Sequence, residues 1–138
     1  MGKLMSSVLI IDDEKGLLLV MRQALESHGY KVITATNGTE GIRVFNQMSL
    51  DLVITDVRMP GMDGHDVVQH IRYSEQSTPV IGISGTPWDL NNSDFSAVLS
   101  KPFSLKTLVD TVNGLAAKSI RLKKTEQHSD RIPYRKTG

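Results

Sequence analysis

Side chains that could bind a metal ion or act on a charged group follow directly after short hydrophobic runs of the sequence. In chain order they are Asp12, Asp13, Glu14, Asp56, Ser84 and Lys101. In an open α/β sheet, ligands bind beyond the carboxyl ends of the strands. If the hydrophobic runs are parallel strands, these acids, the hydroxyl and the amine therefore meet at one rim of the sheet.

The chemistry of this set is specific. Carboxylates held close together raise one another's pKa unless a cation lies among them. Oxygen ligands at a flexible rim suit Mg²⁺, which keeps several waters and takes one or two carboxylates together with phosphate oxygens. A carboxylate beside Mg²⁺ can attack phosphorus as a nucleophile. A lysine and a hydroxyl can then neutralise and hydrogen-bond the transferred oxygens.

Apolar runs separated by amphipathic stretches must position these groups. The runs comprise residues 8–11, 31–35, 52–55 and 80–83, with a weaker one at 97–100. Continuous β-branched runs of this length are typical of parallel strands covered on both faces. The stretches between them carry apolar residues at helical spacing, and this alternation predicts right-handed βαβ units in an α/β fold.

The first and last helices have readable faces and ends. The apolar stripe of the first helix comprises Leu17, Val20, Met21, Ala24, Leu25 and His28. That stripe places Leu18 at its edge and leaves Leu19 exposed on the opposite side. Ser104 is expected to cap the last helix, which should run about one turn beyond residue 117.

Four motifs follow the predicted strands in order: Asp12-Asp13, Asp56-Val57-Arg58-Met59-Pro60-Gly61-Met62-Asp63-Gly64, Ser84-Gly85-Thr86 and Lys101-Pro102-Phe103. Together they resemble the receiver domain of two-component response regulators, the CheY-like family. The resemblance covers residues 6–117 and implies a flavodoxin-like, doubly wound sheet of five parallel strands in the order 2-1-3-4-5. We expect residues 118–138 to form a basic C-terminal helix extension and tail, mobile from about residue 127.

The resemblance implies a role for each acid of the rim. Asp56 would be the phosphoacceptor. Asp13 and Asp56 would ligate Mg²⁺ directly, together with the backbone carbonyl of Arg58, and Asp12 would hold a metal-bound water. Taken alone, Asp12 or Asp13 could instead cap the first helix.

The resemblance also assigns the remaining polar groups. Lys101 would pair with Asp56 and then with the phosphoryl group, while Ser84 would move to a phosphoryl oxygen. The Lys101-Pro102 bond would be cis. The phosphoryl donor would be a histidine kinase, a histidine phosphotransfer protein or a small acyl phosphate. The chain would catalyse only its own phosphorylation and dephosphorylation, so it is not expected to be an enzyme acting on external substrates.

One segment and three single positions stand out against the family pattern. Only 16 residues lie between Ser84 and Lys101, fewer than is usual, which predicts a shortened or irregular fourth helix and an atypical surface there. Val98 occupies a position where the family usually has an aromatic residue, so signalling through an aromatic switch is not expected. Arg58 and Thr86 are expected to modulate the phosphoryl lifetime.

Composition limits the broader class. The chain has 138 residues, no cysteine and no apolar stretch of the length that a membrane-spanning helix needs, so we expect a cytoplasmic domain without membrane insertion. Residues 1–117 hold 9 basic and 13 acidic residues, and residues 118–138 hold 7 basic and 2 acidic residues. The basic tail carries no helix-turn-helix pattern, and nucleic-acid binding is not expected.

The function predicted from these observations is phosphorylation-dependent signalling, with output through contact with an unknown protein effector. One alternative is a pseudo-receiver, a constitutive interaction module that is not phosphorylated. A Mg²⁺-dependent phosphohydrolase fits less well, because such enzymes usually place a second acid where this chain has Arg58. An exposed Leu19 would fit docking of a kinase or phosphotransfer protein, and whether the chain dimerises stays open. His28 and His65 have no ligand partners in the sequence pattern and are expected to be structural or surface residues.

Overall fold

Five strands and four α-helices alternate along the parts of the chain that the computed structural model describes, residues 6–75, 77–90 and 94–130. The strands are β1 (Ser7–Ile11), β2 (Lys31–Ala35), β3 (Leu52–Asp56), β4 (Val80–Ser84) and β5 (Ala97–Ser100). The helices are α1 (Lys15–Glu26), α2 (Gly38–Gln47), α3 (Gly64–Ser74) and α4 (Leu105–Asp130).

The strands form one parallel sheet in the order β2-β1-β3-β4-β5, which confirms the predicted topology. Every residue of β3 and of β4 is buried, as expected for central strands that are covered on both faces. One hydrophobic cluster packs the sheet against α1 and α4, and a second packs its other face against α2 and α3.

Helix α1 is rotated relative to the predicted stripe. Leu18, Met21 and Leu25 form its buried face, whereas Val20, which the sequence places in the stripe, is 42% exposed. Leu19 is 55% exposed, as predicted. The helix therefore lies on the sheet through a narrower face, centred closer to Leu18 than the 3–4 spacing suggests.

The segment between β4 and β5 contains a single 3-10 turn, Pro87–Asp89, within its described residues. The expectation of a shortened or irregular helix between β4 and β5 is thus confirmed. Phe95, near the end of this segment, packs its ring against β4. The contact is so close that a Cβ on Gly82 would lie 2.9 Å from the ring. Trp88, in the 3-10 turn, is 75% exposed.

Arg72, in the last turn of α3, ties the short segment to the rest of the fold. Its guanidinium donates hydrogen bonds to the carbonyl oxygens of Thr78 at 2.6 Å and Asp94 at 3.0 Å, and to Ser96 Oγ at 3.2 Å. Burial lowers the pKa of this guanidinium and the nearby Asp94 partly offsets that effect. One side chain therefore joins three stretches of backbone.

Helix α4 begins as predicted and ends later. Ser104 Oγ accepts a hydrogen bond from Thr107 N at 3.0 Å, which confirms the predicted cap. The helix continues to Asp130, further than the single turn past residue 117 that the sequence predicts. Residues 131–138 of the expected tail lie outside the described residues. None of the helices in the described part of the chain is long and apolar enough to cross a membrane.

Candidate functional site

The strand register brings the predicted site residues to one rim. Ile11 of β1 is paired with Thr55, and Asp56 with Ile83, so Asp12 and Asp56 end their strands at the same level. The backbone N–H of Lys101 donates to the carbonyl of Ser84 at 2.8 Å, which fixes the end of β5 beside the end of β4.

Three carboxylates converge at this rim. Asp12, Asp13 and Asp56 each offer an oxygen, and these three atoms all lie within 4.8 Å of one another. Asp12 and Asp56 are buried, whereas Asp13 is exposed. Neither Asp12 nor Asp13 caps α1, because the cap position is occupied by Glu14. The structure therefore favours the reading of the acidic pair as part of a cluster over the reading of a helix cap.

Burial makes the ionised form of this cluster costly. It raises the pKa of Asp12 to about 6, against the lowering effect of a backbone hydrogen bond from Glu14, and the Asp56 charge adds to the rise. Burial likewise raises the pKa of Asp56, while Lys101 acts in the opposite direction. These acids thus resist ionisation together unless a cation joins them.

The donor set fits a magnesium ion. Oδ1 of Asp12 accepts the Glu14 N–H at 2.8 Å, but Oδ2 has no hydrogen-bond partner and is the one such buried side-chain atom among the described residues. A buried carboxylate oxygen left without a partner costs free energy. Mg²⁺ near Asp12, Asp13 and Asp56 would supply the missing positive charge with the oxygen ligands that this ion prefers.

Lys101 supplies the fixed cation of the rim. Its ammonium Nζ lies 3.4 Å from Asp56 Oδ1 and 3.6 Å from Glu14 Oε1. Burial alone would lower the pKa of Lys101, but the Asp56 carboxylate and the other acids outweigh it, so the net pKa is raised. Lys101 is therefore firmly charged beside the proposed acceptor. The Lys101-Pro102 bond is cis, as predicted.

A hydroxyl at the end of β4 and a guanidinium in the loop after β3 both contact Thr86. Ser84 is buried, and its Oγ accepts a hydrogen bond from Thr86 N at 3.0 Å. Arg58 Nη2 donates to Thr86 Oγ1 at 3.4 Å, across the gap between the loops that follow β3 and β4. The structure thus brings together the two positions that the sequence assigns to modulation.

Sequence reasoning missed two features of the site. The contact of Glu14 with Lys101 joins residues far apart in the chain, and no local pattern signals it. Gly64 packs so tightly against the end of β3 that a Cβ would lie 2.6 Å from the Asp56 carbonyl oxygen and 2.7 Å from Val57 Cα. The position of Gly64 at the end of the Asp56–Gly64 motif could have indicated this close packing.

The aromatic and histidine positions considered in the sequence have other surroundings. Val98 is half-buried on β5. Phe95, two residues before β5, is buried against β4, and its ring forms an edge contact with the His65 ring, with the ring centroids 5.8 Å apart. His28 is exposed, with Nδ1 2.9 Å from the carbonyl oxygen of Ala24. Neither histidine belongs to the carboxylate cluster.

Comparison with known families agrees with this geometry. The family model described as the response regulator receiver domain matches residues 8–113. The chain belongs to the response regulator receiver domain family. Receiver domains are signalling modules of two-component systems that work with histidine kinases or phosphotransfer proteins, and their phosphorylation site binds Mg²⁺.

Individual relatives agree with the assignment as a receiver domain. A receiver domain protein from Clostridium thermocellum is 30% identical with a TM-score of 0.80, over 86% of this chain and 99% of that one. The response regulator TrrA from Thermotoga maritima, solved in complex with Mg²⁺ and BeF, is 30% identical with a TM-score of 0.75, over 80% and 99% of the two chains. The transcriptional regulatory protein GlrR of Escherichia coli K12 is 45% identical over 74 residues, 54% of this chain and 17% of GlrR. The chain spans 17% to 54% of the length of the first curated relatives that it matches.

Proposed function

We propose that this receiver domain accepts a phosphoryl group on Asp56 and signals through protein contact. The observation that carries the proposal is the convergence of three carboxylates within 4.8 Å, with the Lys101 ammonium 3.4 Å from Asp56 Oδ1. A buried acid with both a metal-binding cluster and a fixed cation beside it is suited to nucleophilic attack on phosphorus.

The acids would divide the work of holding Mg²⁺. Asp13 and Asp56 would ligate it directly with the backbone carbonyl of Arg58, and Asp12 would hold one of its waters. When bound, Mg²⁺ neutralises charge on the transferred oxygens. The ion would also offset the cost of burial, and the smaller repulsion between the carboxylates, which together raise the pKa values of Asp12 and Asp56.

The Asp56 carboxylate attacks the phosphorus of a phosphohistidine or of an acyl phosphate. An O–P bond forms as the P–N or P–O bond to the donor breaks, and the donor atom leaves with the bonding electrons. Lys101 then pairs with a phosphoryl oxygen. Ser84 Oγ, which accepts the Thr86 N–H in the unphosphorylated protein, turns to donate to another phosphoryl oxygen. Attack of water on phosphorus returns the carboxylate and inorganic phosphate.

The loop pair above Asp56 would set the lifetime of the phosphoryl group. Arg58 and Thr86 contact each other across the opening, where they can guide or exclude an attacking water. This contact supports the proposal that both residues modulate hydrolysis.

The partners follow from the family. We propose that a histidine kinase or histidine phosphotransfer protein supplies the phosphoryl group in the cytoplasm and that the output is contact with a protein effector. The exposed Leu19 on α1 supports a docking role for that helix, because removal of an exposed leucine side chain from water by a partner is favourable.

Intact-mass measurement with acetyl phosphate and Mg²⁺ tests the assignment. The full chain should gain one phosphoryl group, and Asp56→Asn should gain none. Asp110→Asn, the same change at an exposed position on α4, is the matched control and should gain one. Chelation of Mg²⁺ by EDTA should abolish the gain in the parent protein.

The alternatives predict other results. No adduct on the parent protein at any time from seconds to hours, with no phosphate released, would identify a pseudo-receiver. Sustained turnover of a generic phosphomonoester would identify a phosphohydrolase. An adduct that persists in Asp56→Asn would place the acceptor elsewhere.

A further inference from the structure

Glu14 occupies an unusual place between the metal-binding acids and the lysine. It is the N-cap residue of α1, but its side chain makes no capping hydrogen bond. Its backbone N–H donates to Asp12 Oδ1 at 2.8 Å, while its carboxylate reaches Lys101. Glutamate is not among the preferred N-cap residues, so helix stability does not account for this side chain.

The Lys101 ammonium is shared between two carboxylates. It lies 3.4 Å from Asp56 Oδ1 and 3.6 Å from Glu14 Oε1. The Asp56 side chain is 6% exposed and that of Glu14 is 65% exposed. An ion pair as open as the one to Glu14 contributes little to folding stability. We therefore expect the Glu14 side chain to act on Asp56, the buried acid with which it competes for the Lys101 ammonium.

We propose that Glu14 is a positioning residue that holds the Lys101 ammonium partly away from Asp56 and so keeps the Asp56 carboxylate available to Mg²⁺. The proposal rests on the proposed function in requiring that the acids bind Mg²⁺. Lys101 and the metal ion compete for the oxygens of the same carboxylate. A second counter-ion for Lys101 weakens the lysine's hold on Asp56 and so favours the metal ion.

Titration of the metal-free full chain with MgCl₂, followed by backbone amide NMR shifts, tests the proposal. Glu14→Gln removes the charge but keeps the length of the side chain, and the Kd for Mg²⁺ should rise about two- to fivefold, the range expected for one exposed ion pair. Glu26→Gln, at the far end of α1, is the matched control and should leave the Kd unchanged.

A double-mutant cycle separates competition for Lys101 from simple loss of charge. In a Lys101→Met background, Glu14→Gln should raise the Kd by a clearly smaller factor than in the parent chain. An equal factor in both backgrounds would overturn the proposal, because the glutamate would then act on the metal ion directly.

Glu14→Asp provides a second test that keeps the charge. The shorter carboxylate loses the contact with Lys101, and aspartate at an N-cap turns toward the helix N–H groups. The Kd should therefore rise nearly as much as in Glu14→Gln. A Kd equal to that of the parent chain would show that charge alone matters and would overturn the proposal.

Phosphorylation measured in parallel distinguishes the two proposals. With Mg²⁺ below its Kd, Glu14→Gln should react with acetyl phosphate more slowly by the same factor, and saturating Mg²⁺ should restore the rate. If the parent chain binds Mg²⁺ but gains no phosphoryl group, the proposed function fails while the Kd ratios still decide the role of Glu14. If the parent chain binds no Mg²⁺ at millimolar concentrations, both proposals are overturned.

Discussion

Replacement of Asp12 by asparagine should stabilise the metal-free protein at neutral pH. Asp12 is fully buried, one of its oxygens has no hydrogen-bond partner, and two further carboxylates lie beside it. Asparagine has the same shape without the charge, and its carbonyl oxygen can still accept the N–H of Glu14 that Asp12 Oδ1 accepts now.

The size of the effect follows from the pKa of Asp12. Burial raises it from 3.8 to about 6, so the unfolded chain releases this proton more readily than the folded one. Stability is therefore lost as the pH rises from about 4 through 6, and the full cost above that range is about 3 kcal/mol. Asp12→Asn should recover this free energy at pH 7.5 and gain almost nothing at pH 4.

Urea unfolding in EDTA at the two pH values measures the difference. At pH 7.5 the free energy of unfolding of Asp12→Asn should exceed that of the parent by about 3 kcal/mol, and its Tm should be higher by roughly 10 °C. Addition of Mg²⁺ should narrow the gap, since the ion stabilises the ionised parent. Asp110→Asn, the exposed control, should stay within about 0.5 kcal/mol of the parent at both pH values. Equal stabilities of the parent and Asp12→Asn at pH 7.5 would refute the reasoning.

Three further substitutions should lower stability, each measured by urea unfolding. Gly64→Ala places a Cβ against the Asp56 carbonyl and should cost about 1–3 kcal/mol, together with slower phosphorylation; unchanged values for both would contradict the packing argument. Arg72→Met leaves the buried Thr78 carbonyl without its donor and should cost about 2 kcal/mol, whereas a loss below 0.5 kcal/mol would mean that water replaces it. Ser104→Ala removes the cap of α4 and should cost about 1 kcal/mol, with Ser104→Asp expected to retain the cap.

The parallel strands and the site rim could be predicted from short-range sequence patterns, whereas the strand order came from the resemblance to the receiver family. Continuous apolar runs identify parallel strands, and the polar residue after each run marks the rim. The convergence of Asp12 and Asp56 then follows from topology alone. The motif from Asp56 to Gly64 independently marks Asp56 as a residue of the rim, because its residues are close together in the sequence.

Features that depend on packing between distant segments could not be predicted. The face that α1 presents to the sheet depends on how Leu18 and Met21 fit the strands below, and 3–4 spacing leaves that rotation open by one residue. The three hydrogen bonds of Arg72 depend on where the shortened segment lies. The extent of α4 beyond residue 117 could not be predicted, because residues 118–130 have neither a sustained apolar stripe nor a glycine or proline that would mark an earlier end.

The exposed ring of Trp88 gives the protein a built-in optical reporter. Trp88 is the chain's one tryptophan, so all indole fluorescence arises from the turn that follows β4. That turn begins three residues after Ser84, whose hydroxyl accepts the N–H of Thr86, the residue just before the turn. If phosphorylation moves the Ser84 hydroxyl away from Thr86, the residue before the turn loses this hydrogen bond, and we expect the environment of the indole to change. Tryptophan emission from the unlabelled protein should therefore report phosphorylation at the rim in real time.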